Sequence, residues 1–449
     1  MAQDVTAGLA ERIIRAPSLS FRDLEPAGDR LWISVEVYQA NPQYEPDPIG
    51  RVRAMRDDTL SPAVRARLRR LPSPYDTHFG VVPAPPPRGW INIQAVAPAM
   101  ERALEALGRA EAIASELKDP YLLSRILVRQ EAVRSSALDG THSTLEEVLA
   151  IEETDGGGRP EARQALAYAL VLEDLLPIAR ERGPDIFSLA LLKRLHSAVM
   201  SGGPDDKNTP GALRPMVVWI GGSGPIGSSF WNPPPPAEVG PCLRDTVAYL
   251  RDEGASTTPQ NLVIRMAIAH AHFTAIHPFP RGSGRVGRLL LPLMMAADGR
   301  TPLHLSAYLA AHEDDYRAAL MEAHQRLNWA ALVGFLSDAV VGTVNELETT
   351  RTTFATLLNL WWARRRFRGG SASARALELL PHYPVVTING LSSLLRVSFR
   401  QASEAVWQLQ EARIVEERTG YARNRIYAAP EVLAIWNRSF GPSTWDYRG

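Results

Sequence analysis

Cysteine is almost missing from this sequence of 449 residues: the single one, Cys242, allows no intramolecular disulfide and no thiolate metal cluster. A reducing, intracellular setting follows, and a cytoplasmic protein is expected. Lysine is nearly missing too, occurring only at Lys118, Lys193 and Lys207, so almost all the basic charge is arginine, a bias of codon usage rather than of function. Net charge is lacking: 49 Lys and Arg balance 49 Asp and Glu, which argues against nucleic acid or an anionic membrane as a bulk electrostatic partner. Long hydrophobic runs are also lacking. The most apolar stretches, 289–297 and 329–341, fall short of the roughly 20 residues a membrane helix needs. The opening MAQDVTAGLAERIIRA has neither the charged start nor the apolar core of a signal peptide. A soluble chain with no membrane partner is expected.

What is present is capacity for a core, with 45% apolar and 22% charged residues, enough for several domains. Residues 1–95 read as an extended arm, with proline clusters at 46–48 and 83–87 and one strand-like stretch at 31–38. Apolar periodicity predicts helices over 99–116, 120–138, 144–153, 161–182, 187–201, 237–253, 259–276, 285–297, 308–326 and 329–350. A capping box from Thr144 to Glu147 and a proline start at Pro259 support two of them. The fold class is therefore mainly α, with the helical core at 96–350. One stretch interrupts it: 214–236, RPMVVWIGGSGPIGSSFWNPPPP, reads as a small β-hairpin. The free edge at Val217, Val218, Trp219 and Ile220 is suited to pairing with an extended peptide. Residues 351–375 form a connecting helix and a basic, polar linker to a module at 376–449. That module reads as helix, turn, longer helix and two-stranded wing, the layout of a winged helix-turn-helix. Its Arg396, Arg400, Arg413, Arg418, Arg423 and Arg425 are offset by Glu404, Glu411, Glu416 and Glu417, which favours a protein contact or dimerisation over DNA.

The stretch 277–288, HPFPRGSGRVGR, carries the chemistry. Pro278 disfavours helical geometry at His277, so the preceding helix ends there and holds the imidazole at a loop mouth. Gly282 and Gly284 flank Ser283 in a loop that opens a new helix near Arg285. The free amides of that helix, its dipole and the guanidiniums of Arg285 and Arg288 make a cradle for phosphates. His277 at its edge can take a proton from an attacking hydroxyl. Asp139, just before Gly140 at the end of a helix, meets the negative end of a dipole and needs a cation such as Arg288. The bland alternative is a glycine loop between buried helices, with His277 satisfied in the core and the arginines in structural ion pairs. His270 lies seven residues before His277 on one helical face; no carboxylate or cysteine joins them at ligand spacing, so packing is favoured over zinc.

The whole string resembles the signature of the Fic family, HPFx(D/E)GNGRxxR, at His277, Pro278, Phe279, Gly282, Gly284, Arg285 and Arg288. Pro210 and Gly211 with Arg214, residues 219–222 and the prolines at 233–236 look like the family's flap. Tyr308 and Tyr316 look like the segment flanking the adenine. Ser135, Asp139 and Gly140, at the end of the helix 120–140, resemble the inhibitory motif (S/T)xxxE(G/N). The resemblance implies a Fic-type helical core with a hairpin flap and a C-terminal winged helix. It implies transfer of AMP from ATP to a Ser, Thr or Tyr hydroxyl of a target protein or of the chain itself, autoinhibited by Asp139. His277 would be the general base and Phe279 the buried anchor. Gly282, Ser283 and Gly284 would present amides to the phosphates, Arg285 would stabilise their charge, and Arg288 would meet the outer phosphate or the inhibitory carboxylate. A homodimer through core helices fits the same layout.

Three positions depart from the pattern. Arg281 stands where the family has an acidic residue that helps hold Mg²⁺, Ser283 stands for asparagine, and His312 stands for an asparagine before Tyr316. A guanidinium replaces part of a metal's charge, but as a directional donor rather than a Lewis acid. Asp139 is also one methylene shorter than the usual glutamate. Two alternatives therefore stay open: removal of AMP or transfer of another phosphate-containing group, and a nucleotide-sensing winged-helix adaptor with little catalysis.

Overall fold

The computed structural model describes residues 55–441, apart from 117–119, 155–156, 204–209, 223, 255–259 and 421–423. The strand expected at 31–38, the prolines at 46–48, the start at Pro259 and Arg423 of the wing lie outside the described residues. The first described segment is more regular than an extended arm. A helical turn, Pro62–Arg65, is capped by the Ser61 hydroxyl, and β1 (Leu68–Arg70) pairs with β2 (Phe79–Val81) in an antiparallel ribbon, Leu68 opposite Val81. Leu60, Val64 and Val81 bury themselves with Trp231 and Ala275 of the helical body.

Eight helices follow: α1 (Ala97–Glu116), α2 (Pro120–Leu138), α3 (Leu145–Thr154), α4 (Pro160–Arg182), α5 (Leu189–Met200), α6 (Pro236–Leu250), α7 (Leu262–Ile276) and α8 (Ser283–Ala297). Their starts come from local chemistry. Thr144 and Glu147 exchange bonds as a capping box, 2.8 and 3.1 Å, while Ser188 and Asn261 accept from the amides of Leu191 and Ile264. Every residue of α7 except Arg265 is buried, so the helix is enclosed on all sides and runs through the core.

The long helix expected at 308–326 is two, α9 (Ser306–Ala311) and α10 (Glu313–Arg326). The break falls at His312, whose amide and imidazole Nδ1 both approach the Tyr308 carbonyl oxygen at 3.0 Å while its ring stacks on Tyr308, centroids 4.1 Å apart. Glu313, Asp314 and Asp315 then suit the N-terminus of the new helix. α11 (Trp329–Arg364) runs 36 residues, well past the 350 expected from periodicity. By length and mean hydropathy (1.3 over 18 residues) it is apolar enough to cross a membrane, and half of that window is buried inside the protein, where α11 packs along α1.

The C-terminal module is α12 (Ala372–Leu379), β3 (Val385–Thr387), α13 (Ile388–Leu395), α14 (Phe399–Glu411), β4 (Glu416–Glu417), β5 (Ile426–Ala428) and α15 (Pro430–Asn437), its antiparallel sheet ordered β3-β5-β4. Its core, with Leu391, Leu409, Tyr427 and Trp436, also takes in Trp361 of α11, Ile126 of α2 and Leu145 and Leu149 of α3. Val128 and Ala132 belong to the larger core instead, so α2 serves both. A buried ion network fastens it: Arg129 bridges Glu152 (2.6 Å) and Glu173 (2.7 Å), and Arg125 reaches Glu152 and the His382 carbonyl.

Candidate active site

His277 closes α7 in the left-handed region (φ 47°, ψ 66°), its amide bonded to the Phe273 carbonyl at 3.1 Å. Pro278 forbids the helix a further turn, and this bend presents the imidazole beside the loop. Burial, with Arg214 nearby, pushes its pKa down to about 4 against a small opposing pull from Asp139, so the ring is neutral and able to accept a proton near pH 7. Phe279 is wholly buried and stacks on His196, centroids 3.9 Å apart and planes 1° from parallel. The Ser283 hydroxyl accepts from the Phe279 amide (3.0 Å) and donates to its carbonyl (3.1 Å), so this side chain ties the loop to itself rather than facing an anion.

Gly282 takes φ 73° before α8 begins, and the first amides of that helix face Asp139. The carboxylate accepts from the Arg285 amide at 3.2 Å and from Arg288 Nη2 at 2.7 Å. Glycine at 284 permits the approach: a Cβ there would lie 2.6 Å from Asp139 Oδ1. Ser135 completes the grip, its hydroxyl and carbonyl each accepting from Arg288 at 2.8 Å. Burial alone would raise the Asp139 carboxyl, but Arg288 and Arg285 together outweigh it and hold it below the ordinary carboxylate range. Gly140, at φ 77°, ends the helix behind it. The Arg285 guanidinium spans from Asp139 to the neighbouring helices: Nε lies 3.6 Å from Asp139, and Nη1 donates to the Val199 carbonyl at 2.9 Å and to Gln164 at 3.3 Å.

The segment 214–236 forms the small hairpin expected, closed by one antiparallel bridge between Ile220 and Trp231. Val217 and Val218 precede it in extended, half-buried backbone, and Trp219 donates its indole N–H to Gly224 and packs edge-on against Tyr75. Buried Arg214 fastens this flap to the loop, donating to the carbonyls of His277 (2.8 Å), Ile276, Pro234 and Met216, while its amide bonds Pro278. Tyr308 and Tyr316 both lie against Phe335, with Phe440 from the C-terminal segment edge-on to Tyr308 at 5.2 Å. The Tyr316 hydroxyl is bonded to His270 Nε2 at 2.6 Å, and His270 Nδ1 meets the Gly287 carbonyl, so His270 is a core residue linking α7, α8 and α10.

Sequence reasoning passed over His196, Phe335 and Phe440. His196 accepts the Gly211 amide at Nδ1 (2.8 Å), which leaves Nε2 to donate to the Arg281 carbonyl (3.1 Å). Its only sequence signal is a place on the buried face of an amphipathic helix, which any core residue shares. The Arg281 side chain is exposed, and a guanidinium cannot ligate a cation, so this position does not fit Mg²⁺. Among the described residues no cluster of three or more His, Cys, Asp or Glu is placed to hold a metal ion.

Residues 97–174 match the family model described as Fic/DOC family N-terminal, and residues 186–295 match that of the Fic/DOC family. The chain is 28% identical over 202 residues to a probable protein adenylyltransferase of Aquifex aeolicus (strain VF5), covering 44% of this chain and 56% of that protein. It is 29% identical over 192 residues to protein adenylyltransferase fic-1 of Caenorhabditis elegans, covering 42% and 35%. The chain thus spans about half or less of the length of these curated relatives. Among solved structures it is similar to a Fic family protein from Desulfovibrio desulfuricans G20 (20% identity, TM-score 0.46, 76% of this chain and 98% of that one). It is likewise similar to Fic-1 of C. elegans (22% identity, TM-score 0.45, 58% and 75%). The two family models, matched in succession around a loop that carries the signature residues, identify residues 97–174 and 186–295 as a region of the Fic/DOC family.

Proposed function

We propose that this protein transfers AMP from ATP to the hydroxyl of a Ser, Thr or Tyr side chain, in a target protein or in itself, and that Asp139 holds the reaction off. The observation that carries this reading is the Asp139 carboxylate on Arg288 and on the Arg285 amide, an anion already seated where the phosphates would have to lie. With Asp139 withdrawn, the same donors receive ATP. The target hydroxyl oxygen then attacks the α-phosphorus, its proton passes to neutral His277, the bond to the bridging oxygen breaks and pyrophosphate leaves. For Arg285 the backbone N–H is the part aimed at the anion; its side chain positions α5 against the loop. Arg288 is the cation shared between inhibitor and substrate, and the rings of Tyr308, Tyr316 and Phe335 supply a face for the base. A target segment pairs with the extended backbone at 217–220.

The module at 376–441 is read as a winged helix that contacts protein. On α14, Phe399 and Trp407 are exposed, and the charges about them are balanced, Arg400 against Glu404 and Arg365 paired with Glu411, a surface with an apolar face for a partner and no excess of cations. The buried, lone Cys242, its thiol pushed up to about 11 by burial, fits a cytoplasmic setting. A second reading, transfer of another phosphate-containing group or removal of AMP, rests on Arg281, and no step here runs through a metal.

The test is transfer of label from α-³²P-ATP with wild type, Asp139→Gly and His277→Ala, with and without Mg²⁺ or Mn²⁺. Incorporation that rises in the Asp139 variant and vanishes in the His277 variant supports the proposal. Nucleotide binding without transfer in any form or metal condition removes it in favour of the second reading.

A further inference from the structure

Behind α2, on the side away from Ser135 and Asp139, lies a cavity of about 890 Å³ walled by α1, α2, α4, the loop between α8 and α9, α9, α11, the end of α15 and the segment that follows it. None of residues 277–288 lines it, nor does Asp139, so it is not the phosphate cradle. Its size is that of a small-molecule site. Much of the wall is apolar, with Leu176, Leu347 and Trp436 among the lining side chains. The polar groups in it are incompletely matched. His304 Nδ1, Thr343 Oγ1 and Glu173 Oε1 are buried lining atoms without a hydrogen-bond partner among the described residues, and such groups are rare in folded proteins unless something else satisfies them.

The charges are unmatched in one direction. Arg300 and Arg438 at the cavity are paired with Glu111 and Glu346. Arg134 has no carboxylate among the described residues, only the Asn437 carbonyl at 3.4 Å, and burial depresses its pKa. Arg180 likewise forms no ion pair there. Against these two cations stands the one free oxygen of Glu173, whose partner oxygen already holds Arg129. We propose that this cavity binds a small organic anion, its acidic group on Arg134, its apolar body against Leu176, Leu347 and Trp436, with His304 and Thr343 as hydrogen-bonding partners.

The test uses the full chain and two fluorescent probes of one shape. 1-Anilinonaphthalene-8-sulfonate carries an anion; N-phenyl-1-naphthylamine is the same body without it. One saturable site is expected, with Arg134→Gln weakening the sulfonate about tenfold or more and leaving the neutral probe within about twofold. Leu347→Trp, which fills the cavity, is expected to remove both, and millimolar ATP to displace neither. Should that variant fail to fold, Ala311→Phe fills the same space, and the Arg134→Gln comparison decides alone. Unchanged sulfonate affinity in Arg134→Gln, displacement by ATP, or full binding to a cavity-filled variant with wild-type stability in urea would each overturn the proposal.

Discussion

At the scale of single residues, the proposed function makes the site a contest for one cluster of donors. Asp139 leaves 22% of its side chain exposed, so a competing phosphate has a way in without unfolding anything. Ser135→Ala keeps Asp139 but takes the hydroxyl acceptor from Arg288 Nε. A hydrogen bond to a charged group is worth roughly 1.5–3 kcal/mol, so basal label transfer is expected to rise about tenfold; transfer equal to wild type would remove Ser135 from the latch. A second prediction concerns pH. Burial and Arg214 bring His277 to about 4, and Asp139 is the one group among the causes that raises it. In Asp139→Gly the acid limb of kcat/KM should therefore fall at or below about pH 4, read from a pH–rate profile; a midpoint near the free imidazole value of about 6.5 would show the base solvated once the latch opens. The positions of His277, the glycines and the arginines in one loop were legible because they are contiguous. Arg214 was visible as part of the flap, but its four carbonyl contacts were not, since they depend on where another loop passes.

Elements show the same division. The capping box at Thr144 and the end of α2 at Leu138 are written in a few neighbouring residues, and both lie where periodicity put them. The break at His312 is not local: its ring stacks on Tyr308, which is itself packed by Phe335 and Phe440 from distant elements. The flap is a hairpin, as its Gly/Ser turn between apolar residues predicted, but a short one: Ile220 and Trp231 make one bridge around a turn shaped by Gly221 and Gly222, both at positive φ. α2 is the element on which the molecule turns, carrying Ser135 on one side and Gln130 and Arg134 on the other while Arg129 fastens it to α3 and α4. Arg129→Ala would strand Glu152 and Glu173 beside it. A loss of about 3–5 kcal/mol of unfolding free energy is expected, measured by urea titration; a loss under about 1 kcal/mol would mean the network relaxes by admitting water.

For the whole molecule, the buried histidines dominate the response to acid. His196, His270, His277 and His304 are held near 4, and His272 and His324 near 3, each chiefly by burial. Unfolded, these rings take protons below about 6.5, while folded they do not, so the unfolded state binds more protons and stability falls as pH drops from there toward 4. Each contributes up to about 1.4 kcal/mol per pH unit in that window. Glu131, Glu153, Asp174 and Asp298, raised by burial, act with the opposite sign but are fewer than the six rings. The urea midpoint should drop clearly between pH 7 and pH 5.5, and a flat profile would show the rings wetter than their packing indicates.

By itself the sequence determined a mainly helical chain, a loop between α7 and α8 that sets His277 beside glycines and arginines, and a carboxylate at the end of α2 in need of a cation, because each follows from residues adjacent along the chain. Only the tertiary structure decided how that need is met. Asp139 and Arg288 stand 149 positions apart, the Arg285 amide shares the same oxygen pair, and the Arg285 side chain runs from Asp139 to Gln164 of α4 and the Val199 carbonyl of α5. Periodicity tells which face of a helix is buried, but not which distant element lies against it, and that choice set the latch, the split at His312 and the cavity behind α2.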